Sequence, residues 1–273
     1  MLSARTVLRC DGVEICDVAC RCPAGPGAAT ERPGGHILVF VRRGCFVRSV
    51  DGADALLDPT VAYCANPCEE ERYDHPHARG DDCTVVGLDA ALVSSLRAGE
   101  PKLPTRPLPI SGRIDLEHRL LLAAARRGAD PHEIVERAIG LTARVLEHAD
   151  WSRVNAGRPA TARARRALAD GAREVLAANP DRSLVDLARE LAVSPHHLSR
   201  VFRSMTGSTI SRHRMRLRAR TALERLAGGE DNLAELAVDL GFADQSHLCR
   251  VLHDEIGRTP SGVRRALGLR AAP

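Results

Sequence analysis

The sequence predicts an α+β chain in which a small N-terminal β-barrel, linker helices and an all-α unit follow one another. Three observations carry that prediction. Short apolar runs separated by turn residues fill 36–89, helical periodicity begins after a proline-rich stretch, and the text repeats itself over 183–261. The barrel is assigned to residues 1–99, the Pro-rich linker with its amphipathic helices to 100–157, and the repeat-bearing unit to 158–273.

In the first part HILVFV, CFVRSV, ALL, TVAYCA and CTVVGL are β-branched or apolar runs, separated by RRG, DGAD, LDP, NPCEEE and HARGDD. Runs this short at this spacing suit a small barrel or sandwich better than a parallel sheet. Residues 1–35 carry no clear pattern, and Pro23–Gly35 is expected to be a loop. Four prolines in EPKLPTRPLP, residues 100–109, exclude a helix and mark a boundary. Beyond it Ile114–Arg127 and Pro131–Ala149 place apolar residues at three- and four-residue steps, so each presents a face to the barrel or to a second subunit. A third helix over Ala160–Asn179 ends at Asn179-Pro180.

Charge divides the chain in the same place. Residues 1–157 hold 19 basic and 22 acidic side chains, whereas 158–273 hold 20 and 13. A basic C-terminal part suits either a nucleic-acid module or a solvated face. No run of apolar residues is long enough for a transmembrane helix, and the N-terminus lacks the apolar core of a signal peptide. Eight of the nine cysteines lie between Cys10 and Cys83, an odd total that argues for reduced thiols. The expected location is cytoplasmic.

The repeat aligns SLVDLARELAVSPHHLSRVFRSMTGSTIS (183–211) with NLAELAVDLGFADQSHLCRVLHDEIGRTPS (232–261). Leu184, Leu187, Ala188 and Leu191 match Leu233, Leu236, Ala237 and Leu240, and Leu198, Arg200, Val201 and Gly207 match Leu248, Arg250, Val251 and Gly257. Each copy has the parts of a helix-turn-helix. Ser183 with Asp186, and Asn232 with Glu235, are short capping boxes. Gly241 sits in the second turn, where a positive φ is expected, and Ala192 stands at the equivalent place. Ser194-Pro195 opens the second helix of copy one as N-cap and first helical residue.

That second helix is the element that enters a major groove. Its outward residues are His196, Ser199, Arg200 and Arg203 in copy one, and Ser246, His247, Cys249 and Arg250 in copy two. Arg200 and Arg250 are the candidates for reading guanine, against the alternatives of a phosphate contact or an internal ion pair. Between the copies Ile210–Leu226 is a long helix in which Arg212, Arg216 and Arg220 share a face. Arg212, at its start, is the candidate phosphate contact.

Over about Ala160–Leu267 the sequence resembles the AraC/XylS family of transcription regulators. The resemblance rests on LARELAVSPHHLSRVFRSMTGSTISRHRMRLRARTALERL and on AELAVDLGFADQSHLCRVLHDEIGRTPSGVRR. Leu248 and Leu252 depart from the family's usual Phe, and Ala192 from its frequent Gly. The resemblance implies seven helices, with two recognition helices entering successive major grooves of promoter DNA. It also implies a regulator, more often an activator than a repressor, that contacts RNA polymerase as a homodimer and receives a small-molecule signal through an N-terminal cupin-like barrel.

Cys64, Cys68, His75, His77 and Cys83 form the one constellation that suggests chemistry in the first part, with Cys10, Cys16, Cys20 and Cys22 as further donors upstream. Cysteine and histidine this close suit zinc or another thiophilic metal. Cys45, Cys64 and Cys83 also fall on expected strands, where they serve as core residues. The chain is read as a regulator and not an enzyme. The competing readings are a cupin-type metal enzyme and a DNA-repair alkyltransferase fused to a DNA-binding module.

Overall fold

The computed structural model describes residues 2–25, 30–150 and 159–269. Strands β1 (Leu2–Cys10), β2 (Val13–Cys20), β3 (His36–Arg43), β4 (Phe46–Val50), β5 (Ala53–Leu57), β6 (Val61–Ala65), β7 (Glu71–Asp74) and β8 (Asp81–Leu88) come first. Helix α1 (Ala90–Leu96) and the short β9 (Leu108–Pro109) follow, then α2 (Gly112–Arg126) and α3 (Pro131–Asp150). The strands make two sheets, in the orders β1-β2-β8-β3-β6-β9 and β5-β4-β7. The N-terminal part is therefore a two-sheet β-domain, and the described strands do not close into a single barrel.

Period-two alternation explains why the central strands read as unbroken apolar runs. Leu38, Phe40, Ala62, Cys64, Val86 and Leu88 face one core, shared with α1, α2 and α3. Val39, Val41, Val61, Tyr63 and Cys83 face the other, between the sheets. Both faces are covered, so polar residues have nowhere to alternate.

Five elements escaped the sequence pattern, β1, β2, β7, α1 and β9, and the strands did so for physical reasons. The β1–β2 hairpin turns through Asp11-Gly12 with φ of 45° and 76°, a short-hairpin signal that the sequence carries. Strand β1 is an edge, mostly exposed, so no apolar face was imposed on it. Strand β7 begins within the acidic run because Glu71 is buried beside Arg48, which donates to it. The proline-rich stretch is part of the β-domain. Asn66 holds the backbone of Leu103 through both side-chain atoms, Arg48 donates to the Thr105 carbonyl at 2.9 Å, and β9 pairs with β6.

Helix α3 lays its apolar stripe, Ile134, Ala138, Leu141 and Val145, onto the first core. Helix α2 is two-sided. Ile114, Leu121 and Leu122 join that core, whereas Leu116 belongs to a second cluster built from the C-terminal helices. The apolar faces expected to seek the barrel or a second subunit are thus covered within the chain.

Among the described residues the C-terminal part has seven helices: α4 (Pro159–Ala178), α5 (Leu184–Glu190), α6 (Pro195–Thr206), α7 (Ile210–Ala227), α8 (Leu233–Asp239), α9 (Gln245–Ile256) and α10 (Pro260–Ala266). Helices α4, α5 and α6 close around Leu176, Leu187, Leu198 and Phe202, and α8, α9 and α10 around Leu236, Leu248, Leu252 and Val263. Helix α7 contributes to both clusters, Leu217 to the first and Leu223 to the second.

The two copies share one backbone turn. Ala192 has φ of 54° and Gly241 φ of 69°. Alanine in the left-handed region carries a strain that glycine avoids. Ala192→Gly is expected to raise stability by about 0.5–1 kcal/mol. In Gly241→Ala the new methyl would lie 2.8 Å from the Arg218 guanidinium and 3.0 Å from the Asp181 carboxylate, so the loss is expected to exceed about 1 kcal/mol. Urea unfolding of the two variants measures both signs.

Candidate nucleic-acid interface

The recognition helices are built alike from the cap upward. Ser194 Oγ accepts the His197 N–H at 3.2 Å, and Asp244 Oδ1 accepts that of His247 at 2.7 Å. Each cap satisfies an amide the helix leaves open and fixes where the helix begins. Counting from those caps, Leu198 and Leu248 come fourth, Arg200 and Arg250 sixth, and Phe202 and Leu252 eighth. The apolar pairs are fully buried and both arginines are exposed. Both helices end on a left-handed glycine, Gly207 and Gly257.

Of the other outward residues, His196, Arg203, Arg212 and Ser246 are exposed, and Ser199, His247 and Cys249 are half-buried. His247 has a structural duty. Its Nδ1 accepts the Ala243 N–H at 3.3 Å and its ring meets Phe242 edge-on, which leaves the Nε2 proton as its outward donor. Gln245, exposed in the first turn of α9, is a contact candidate that the sequence reading missed, although it adjoins Ser246.

The arginines of α7 part company along the helix. Arg212 is exposed, 3.7 Å from Glu255, and Arg216 is half-buried against the same carboxylate. Arg220 is buried at the junction with the β-domain. Arg218 donates to the Gly241 carbonyl at 2.6 Å and pairs with Asp181, so it ties the turn of the second copy to the segment before α5. A row of arginines two positions apart thus has several jobs, and its first member, Arg212, is the most exposed of those at 212, 216, 218 and 220.

The sequence comparisons agree with a helix-turn-helix unit in this region. A helix-turn-helix domain family matches residues 187–266. The regulatory protein SoxS of Salmonella typhimurium is 32% identical over 81 residues, which cover 30% of this chain and 76% of that protein. The chain belongs to the AraC family of transcription regulators. Another relative, the regulatory protein PocR of the same organism, is 28% identical over 93 residues, 34% of this chain and 31% of its own length. Among solved structures, ToxT of Vibrio cholerae O395 overlaps 97% of this chain and 98% of its own at 10% identity and a TM-score of 0.35. A cupin-superfamily protein of Desulfitobacterium hafniense covers 33% of this chain and 78% of its own at 15% identity and a TM-score of 0.28. As an AraC-family member the protein is a DNA-binding transcription regulator.

In this regulator the cysteine-histidine constellation divides. Cys64 is fully buried in the core under the helices, where burial pushes its thiol up to about 12. Cys83 lies in the core between the sheets, and Cys68 is exposed in a turn. His77 faces Glu174 of α4 at 4.0 Å. His75 alone of the five joins a cluster of soft donors, with Cys20 and Cys22. All nine cysteines are thiols.

The DNA-binding unit is not tethered loosely to the β-domain. Asp58, wholly buried in the turn between β5 and β6, accepts from Arg173 Nε of α4 at 3.0 Å and forms an ion pair with that guanidinium at 2.8 Å. His213 of α7 lies 3.9 Å from the same carboxylate. Arg220 donates to the carbonyls of Pro59 and Ile110 and lies 3.5 Å from Asp115 of α2. Arg119 links Asp115 to Glu224 of α7. Gly112 packs so close to the Glu255 carbonyl of α9 that a methyl there would stand 2.1 Å away. No pattern of apolar residues reports such contacts. The Asp115-x3-Arg119 spacing was the only hint in the sequence.

Burial opposes charge on Asp115, but the Arg119 and Arg220 guanidiniums outweigh it and hold its carboxyl far below the usual range. Burial pushes His213 down to about 4, against the pull of Asp58, so near neutral pH it packs on Phe202 as an uncharged ring. Its folded value thus lies below the 6.5 of an ordinary histidine. Between pH 6.5 and about 4 the unfolded chain takes up a proton that the folded chain refuses, and stability falls as the pH falls. At about 1.36 kcal/mol per unit, the loss approaches about 3 kcal/mol. His213→Gln is expected to flatten the stability profile in that window, measured by urea unfolding at stepped pH. Asp115→Ala leaves Arg220 buried without its carboxylate and is expected to cost about 3–5 kcal/mol.

Proposed function

We propose that the regulator reads a specific promoter sequence through α6 and α9, with Arg200 and Arg250 contacting guanine edges in the major groove. The observation that carries this reading is the equivalence of the two arginines. Each is exposed six residues after its cap, on helices whose buried faces match position by position. His196, Ser199, Arg203, Ser246, His247 and Cys249 complete the base-facing surfaces, and Arg212 neutralises a phosphate. A guanidinium spans O6 and N7 of guanine, whereas a phosphate contact fixes register without reading sequence.

The β-domain, with α2 and α3, receives the controlling signal. Support comes from its direct ionic contacts to α4 and α7, which give a change there a rigid path to the recognition helices. Family resemblance supports an activator that contacts RNA polymerase, acts as a homodimer and works in the cytoplasm. Because α2 and α3 bury their apolar stripes within the chain, a dimer would pair through other surfaces.

Binding-site selection on genomic DNA, followed by titrations of variants, tests the reading. Arg250→Ala, and likewise Arg200→Ala, is expected to cost about 1–3 kcal/mol on the selected site and to relax preference at one base pair. Arg212→Ala is expected to weaken selected and random DNA alike and to lower the salt slope by about one. Unchanged specific affinity in both Arg200→Ala and Arg250→Ala would refute the placement of the recognition helices.

A further inference from the structure

The end of the β-domain nearest α4 gathers soft donors that the DNA-binding reading leaves without a role. The donor atoms of Cys20, Cys22 and His75 all lie within 4.8 Å of one another. The Cys20 and Cys22 sulfurs are 2.8 Å apart, well beyond the ~2.05 Å of a disulfide. The two cysteines and His75 come from distant stretches of sequence that pairing brings together. Cys20 faces Asp81 across the β2–β8 ladder, and a two-way backbone bridge holds Gly25 to His75.

The surroundings are those of a built site. Cys20 is buried, and the His75 side chain is 11% exposed. His75 Nε2 lies 3.0 Å from Asp81 Oδ2. An imidazole whose Nε2 proton is given to a carboxylate keeps a lone pair on Nδ1, the arrangement that orients histidine toward a metal. Arg21 donates to the Cys20 carbonyl at 2.8 Å and the Asp81 carbonyl at 3.0 Å, which clamps both backbones. A second cluster, Cys10, Asp11 and His132, has its aspartate and histidine exposed and lacks such support.

We propose that Cys20, Cys22 and His75 bind a thiophilic cation of the zinc class, and that this site sets the position of the 76–80 loop against the DNA-binding unit. Two sulfurs and a nitrogen are the donors such an ion selects, and binding releases the thiol protons to solvent. The loop leaves the site at His75 and docks directly on α4. His77 lies 4.0 Å from Glu174, and Arg79 donates to the Ala178 carbonyl at 2.7 Å. Helix α4 shares Leu176 and Ala172 with Leu198 and Phe202 of α6, so a shift of the loop reaches the first recognition helix. This coupling rests on the DNA-binding reading above. The metal site itself does not.

The test uses the full, untagged chain purified under reductant and titrated with zinc(II). One equivalent is expected to bind. Cys22→Ser and His75→Gln should each weaken binding at least about tenfold, and Cys68→Ser should leave it unchanged. Cobalt(II) in place of zinc should show a thiolate-to-metal absorption that Cys20→Ser and Cys22→Ser diminish. His75→Gln keeps both thiols, so it serves if a cysteine variant fails to fold. Less than about 0.2 equivalents, or full binding in both Cys22→Ser and His75→Gln, overturns the site.

For the coupling, zinc is expected to change affinity for the selected DNA at least about fivefold, and Arg79→Ala to abolish that change while still holding one zinc. Equal affinity with and without zinc overturns the coupling and leaves the site standing. Failure to bind any DNA in either state overturns instead the reading of the recognition helices.

Discussion

Asp58 and Asp115 are both wholly buried, and each faces a guanidinium from the other half of the chain. A buried carboxylate without a partner would cost several kcal/mol, so each holds its arginines as firmly as they hold it. Asp58 takes Arg173 from α4, and Asp115 takes Arg220 from α7 and, within α2, Arg119, which goes on to Glu224. The first helix of the DNA-binding unit and the helix joining its two copies are thereby fixed to the β-domain. The rest of the architecture depends on that pair of contacts.

The consequence for function is mechanical. The two helix-turn-helix copies are joined along the chain by α7, and α7 is also the element that the β-domain grips. Helix α2 goes further, because Leu116 completes the core around α9 while its opposite face completes the core under the sheet. A signal that alters the β-domain therefore does not have to cross a flexible tether. It acts on helices that already share cores with both recognition helices and ion pairs with α9.

Much of the site was legible in the sequence because a duplicated helix-turn-helix is specified locally. Caps, turn residues and apolar spacing all act within about twenty residues, so the register of Arg200 and Arg250 follows from Ser194 and Asp244. The central strands were legible for a similar reason, since both their faces are apolar. The edge hairpin β1–β2 was not, because an exposed edge imposes no pattern. Strand β7 was hidden by Glu71, whose charge reads as a turn until Arg48 is seen beside it.

The sequence by itself determined the repeat, its capped helices and the family, all of which rest on neighbours close along the chain. Only the tertiary structure decided which of the α7 arginines face solvent, since Arg212 and Arg220 look alike in sequence and differ only in what packs against them. The same holds for the soft donors. Sequence proximity grouped Cys64, Cys68 and His75, whereas strand pairing buried Cys64 in a core and set His75 beside Cys20 and Cys22, some fifty residues away. Local hydrogen bonding and spacing are written in order along the chain, but burial and long-range pairing depend on how the sheets close.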